Sequence, residues 1–134
     1  MSSTEPLRPV PREPAVDGGP VRRFVDPSIA PIAASLGELR ARIDALDAEI
    51  VALLAERGRL VRDATRFKRD SHQVHAEERQ RAVFARVRRL AEERAPDLPG
   101  LAETVEAGYR ALVAGFVAGE QHLFEETVSL DEHR

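Results

Sequence analysis

Cysteine and tryptophan are both absent from the chain. Without thiols it has neither disulfides nor thiolate metal ligands. Aromatic residues are scarce at 4%, while Ala, Leu, Arg and Glu abound, a composition that fits an all-helical protein better than a sandwich or barrel. No apolar run is long enough to cross a bilayer. The N-terminus lacks a signal-peptide core, so the sequence predicts a cytoplasmic protein without a membrane partner. Neither sign of charge prevails: the formal net charge of −3 gives no indication of nucleic-acid binding. His72, His75, His122 and His133 have no metal-ligand spacing, so no metal site is expected. Phosphate loops, nucleophile elbows and zinc-protease motifs are missing as well. At 134 residues, 43% of them hydrophobic, the chain suits one modest domain.

What is present is period. From Ser35 to Asp70 apolar residues fall at Leu36, Leu39, Ile43, Leu46, Ile50, Leu53, Leu60, Ala64 and Phe67, in steps of three and four. That is a helix seam. Ser35 with Glu38 three residues later forms a capping box at its start. A helix unbroken to about Arg69 would be roughly 50 Å long, against a radius of gyration near 13 Å for a domain of about 100 residues. Such a helix overhangs its own domain, and its seam calls for a second copy of the chain.

The leader, residues 1–34, holds seven of the nine prolines and the Gly18-Gly19 pair, so it is expected to be disordered or loosely docked. Ser71–His75 reads as a connecting loop. A second helix is predicted from about Ala76 to Arg94, with Val83, Val87 and Leu90 on one face. Ala95–Gly100 reads as a turn from its two prolines and glycine. A third helix is predicted from about Leu101 to Phe124, with Val105, Tyr109, Leu112, Val113, Phe116, Val117 and Leu123 inward. The helical domain thus covers 35–126, and 127–134 is a polar tail.

Each long helix carries a polar group on its apolar stripe: Arg57, Gln80 and Glu120. Charge on a buried stripe is costly unless paired. Arg57 could snorkel or pair with a neighbouring Glu, Gln80 could bond a backbone carbonyl, and Glu120 could face solvent if its helix ends early. In one continuous helix Lys68 lies about 20° around from Arg57 and roughly 16 Å along the axis. Two long cations so placed can close on a small anion. Arg40 lies about 25 Å before Arg57 on the same helix, too far for the same small ligand. In an antiparallel dimer the partner's Arg40 could reach it, giving two equivalent pockets. Several cations, an amide and a carboxyl on an apolar helical interior suit a small dianionic ligand.

The ordered set Leu39-Arg40-Ala-Arg-Ile43-Asp44-Ala-Leu46-Asp47, Leu53-Leu54-Ala-Glu56-Arg57, Lys68, Arg79-Gln80 and Phe116-Val-Ala-Gly-Glu120-Gln121 resembles the all-helical chorismate mutases. The resemblance covers about residues 35–124 and leaves the leader unmatched. It implies an intertwined homodimer of three-helix chains that turns chorismate into prephenate by a pericyclic Claisen rearrangement, without cofactor. By position, Arg57 and the partner's Arg40 would bind the two carboxylates. Lys68 and Glu120 would donate to the ether oxygen, and Arg79 and Gln80 would lie near the C4 substituent. Such a step needs no nucleophile, only a folded substrate and cations where charge develops.

Three departures fall at the C4 end. Gln80 stands where the family usually has Glu, Ala76 where Asp is common, and the loop after Lys68 is about one residue short. Gln80 keeps an acceptor but has no charge. The rearrangement is therefore better defined than its substrate: chorismate, or an analogue such as 4-amino-4-deoxychorismate. The same resemblance admits an isochorismate pyruvate-lyase, and a non-catalytic sensing or interaction dimer is the alternative from another class. Glu120 must be protonated to donate, so activity is expected to fall as pH rises.

Overall fold

The computed structural model describes residues 13–133; the first twelve residues of the leader lie outside that range. Four α-helices follow in order: α1 (Leu36–Ala64), α2 (Ser71–His75), α3 (Glu77–Arg94) and α4 (Leu101–Glu125), with 3₁₀ turns at Thr65–Phe67 and Leu130–His133. Among the described residues there is no strand, and residues 13–35 carry no helix. The three long helices of the all-α expectation are present, within a few residues of their expected ends. No helix among the described residues is long and apolar enough to cross a membrane.

The sequence reading is corrected at the end of the first helix. The α-helical part of α1 stops at Ala64 instead of near Arg69, and Ser71–His75 is a helix instead of a loop. One cause accounts for both. The Asp70 side chain accepts a hydrogen bond from Gln73 N at 2.9 Å, and the Gln73 side-chain oxygen accepts from Arg69 N at 2.6 Å. This reciprocal cap restarts the helix, and it needs Asp70 in an extended conformation (φ −150°, ψ 173°) that a continuous helix forbids.

The chain divides into two compact units at Ala52/Leu53, inside α1. In the first, Ser35 Oγ accepts from Glu38 N at 3.2 Å, the expected N-cap. Gly37 N donates to Val16 O at 2.8 Å. A Cβ on Gly37 would sit 2.9 Å from that oxygen, so only glycine allows the approach. Arg40 pairs with Glu13 at 3.7 Å.

In the second unit α4 is the hub, packed against α3, α2 and the Thr65–Phe67 turn. Val74, Phe84, Val87, Ala91, Ala102 and Val113 are its buried apolar residues. Arg88 of α3 binds Glu103 and Glu106 of α4 at 3.3 and 3.5 Å, and Arg110 lies over the Phe84 ring at 4.5 Å. Gly100, at φ +86°, turns the chain into α4. Among the described residues the α1 seam stays uncovered: Ile43, Leu46, Ile50, Leu53 and Leu60 are each more than half exposed, and α1 buries no residue.

Candidate active site

A cavity of about 350 Å³ lies wholly within the second unit. Its apolar wall comes from α1 (Leu60, Val61, Ala64), α2 (Val74), α3 (Val83) and α4 (Val113, Phe116, Val117). Arg57, Lys68, Arg79, Gln80 and Glu120 supply the polar groups, so five of the six residues singled out in the sequence line one space. Arg40 belongs to the first unit and is not among the lining residues.

Arg57 occupies a seam position on α1, where a cation needs compensation. Two aromatic rings of α4 provide it: the guanidinium carbon lies 5.6 Å from the Tyr109 ring centre and 5.4 Å from that of Phe116. Gly58 makes room for this, since a Cβ there would meet Phe116 Cε1 at 3.0 Å. The ring faces hold the cation without consuming its N–H donors on a carboxylate.

Lys68 follows the 3₁₀ turn in an extended conformation (φ −95°, ψ 133°), its amide bonded to Thr65 O at 3.1 Å. The helical bearing drawn from Arg57 to Lys68 therefore does not apply, because the helix ends four residues earlier. The turn nonetheless returns Lys68 to the same cavity. Among the described residues, none of Arg57, Lys68 and Arg79 has a carboxylate within ion-pair distance.

Gln80 donates from Nε2 to the carbonyl of His75. That is the backbone bond the sequence left open, and it fixes the amide so that its oxygen remains to accept from a ligand. His75 ends α2, and the next residue, Ala76, joins α2 to α3 in the left-handed region (φ 40°, ψ 53°).

Glu120 faces inward on α4 and is only 8% exposed. Burial pushes its pKa above the ordinary carboxylate value, while Lys68 and the Thr65 hydroxyl pull it back. The site thus gathers three cations without ion-pair partners among the described residues and one carboxyl whose pKa is raised by burial. Such a set attracts a small dianion and can donate a proton or hydrogen bond at one point.

Sequence reasoning missed Thr65 and His75; Ala76, expected at the C4 end, does line the cavity. The signal for His75 was Asp70-Ser-His-Gln73, a cap read as loop; Thr65 gave no signal, since it falls just outside the periodic seam.

Comparison with known proteins gives the family. The family model for chorismate mutase type II matches residues 39–121, well over half of the chain. The protein belongs to the chorismate mutase type II family, a family of isomerases, and its activity is of the chorismate mutase type. No curated protein matches the chain.

Proposed function

We propose that the protein rearranges chorismate to prephenate in two equivalent pockets of a homodimer, each completed by Arg40 from the partner chain. The observation that carries this reading is the trio Arg57, Lys68 and Arg79, free of carboxylate partners among the described residues, beside the buried Glu120. Arg57 and the second chain's Arg40 take the two substrate carboxylates. Lys68 and protonated Glu120 donate to the ether oxygen, where negative charge grows as the C–O bond breaks and a C–C bond forms. The apolar wall favours the folded substrate conformer and limits water, which strengthens these interactions in the transition state.

The exposed row Ile43, Leu46, Ile50 and Leu53 supports the dimer, because it repeats at the spacing of a helix seam yet lacks cover among the described residues. At the C4 end, Gln80 offers an oxygen that accepts from a hydroxyl. A protonated C4 amine would find no counter-charge there and would face the Arg79 cation. This favours chorismate over 4-amino-4-deoxychorismate.

The test is turnover of chorismate, 4-amino-4-deoxychorismate and isochorismate in parallel, with products separated and pyruvate assayed. Prephenate formed faster than its amino analogue is the expected result. Faster amino-substrate turnover would overturn the C4 reading alone. Pyruvate from isochorismate would make the protein a lyase, and no turnover with melting protected by chorismate would make it a sensor.

A further inference from the structure

Between α2 and α3 the backbone breaks at a single residue, Ala76, held in the left-handed region (φ 40°, ψ 53°). Ala76 N closes α2 on His72 O at 3.2 Å, and the ladder of α3 opens with Gln80 N on Ala76 O at 3.0 Å. The carbonyl of His75 falls between the two ladders, at a helix end, where the last carbonyls have no partner in their own helix. Gln80 supplies a donor from its side chain, through Nε2. A carbonyl oxygen only accepts, so the group turned toward it is the NH2, and the orientation of the amide follows. His75, Ala76 and Gln80 all line the cavity.

We propose that the His75 carbonyl and the Gln80 amide together form a specificity element: the carbonyl holds the NH2, and the oxygen left over takes an uncharged substrate group that donates a hydrogen bond. The inference rests on the proposed function and deepens it at the C4 end, where that group is the chorismate hydroxyl. The three departures at this end of the family pattern meet at this one contact. They are the short connection after Lys68, the alanine at 76 and the amide at 80.

Glutamate is the informative replacement. It has the length of glutamine and two acceptors, yet ionised it has no donor for the carbonyl. Two oxygens then face each other across the junction, so the side chain turns away and its acceptor is no longer held for the substrate. Arg57, Lys68 and Arg79 line the same cavity and offer the displaced carboxylate a partner, which takes a cation from the substrate. Restoring the charge of the family pattern is therefore harmful in this chain. Methionine, of similar length, removes donor and acceptor together and keeps an apolar contact.

The experiment compares the full-length protein with Gln80→Glu and Gln80→Met, by kcat and KM for chorismate at neutral pH and by heteronuclear NMR of the free proteins. The chain has no asparagine and three glutamines, Gln73, Gln80 and Gln121, so the side-chain amide signal of Gln80 is assigned by its loss in Gln80→Glu. One of its protons is expected to exchange at least about tenfold more slowly than in an unfolded chain. Both variants are expected to raise the KM for chorismate by about tenfold, with kcat changed less than about threefold. A fast-exchanging Gln80 amide overturns the bond to His75 whatever the kinetics, and a loss confined to kcat overturns the specificity role. A native KM in Gln80→Glu beside a raised KM in Gln80→Met overturns the inference but leaves Gln80 at the C4 end. A native KM in Gln80→Met overturns both. If the native protein turns over no chorismate, the proposed function fails; a protected Gln80 amide then marks a structural bond alone, and the specificity role falls with it.

Discussion

In the proposed reaction, Glu120 is the single side chain that does most to define the chemistry. A carboxyl on the inner face of α4, 8% exposed, is penalised when charged, so its folded pKa lies above its unfolded value. The sign follows: the neutral form is favoured by folding, its contribution to stability is complete at acid pH and is lost as pH rises through the folded pKa. Activity should fall over the same interval, and Glu120→Gln, which keeps a donor at every pH, should flatten the profile; pH–rate curves of both proteins check this. The sequence placed Glu120 inward because it falls four residues after Phe116 and three before Leu123. It could not reveal Thr65 beside it, since that neighbour comes from a turn which periodicity cannot foresee.

The elements that matter most here are short. The 3₁₀ turn and α2 occupy a stretch that the 3.6-residue period suggested was helix end and loop, and both follow from Asp70 and Gln73. The long helices were legible because their apolar spacing persists over many turns; a one-turn helix has no period to read, only its cap. Asp70→Ala is expected to cost about 1 kcal/mol of stability, the worth of a cap, measured by denaturant unfolding. Ala76 is held at φ 40°, where a Cβ costs about 1–2 kcal/mol. Ala76→Gly relieves that cost at the junction of α2 and α3, offset in part by the greater freedom of glycine in the unfolded chain, and should raise the melting temperature.

At the scale of the whole molecule, the sequence carried the case for a second chain in the α1 seam, and the same residues lie exposed in the folded chain. If each pocket borrows Arg40 across the interface, Arg40→Ala and Glu120→Ala should each be nearly inactive alone. Mixed at equal amounts and allowed to exchange, half the dimers are hybrid, and each hybrid has one intact pocket. About one quarter of native activity should return, measured as chorismate turnover after mixing. No recovery on mixing would place Arg40 outside the partner's pocket.

The Glu13–Arg40 pair bears on the arginine proposed to be shared. Glu13 is attached to the same chain through a segment pinned at Val16 to Gly37, so its carboxylate is a tethered competitor, present at Arg40 at an effective concentration that no dilution lowers. If Arg40 binds a substrate carboxylate as proposed, an incoming substrate must displace it. The pair is exposed, with 47% and 89% of the two side chains open to solvent, so the competition is mild and worth under about 1 kcal/mol. Glu13→Gln should therefore lower the KM for chorismate by no more than about fivefold and leave kcat in place. The leader, which shares nothing with the family pattern, would then set the substrate concentration at which the enzyme begins to work.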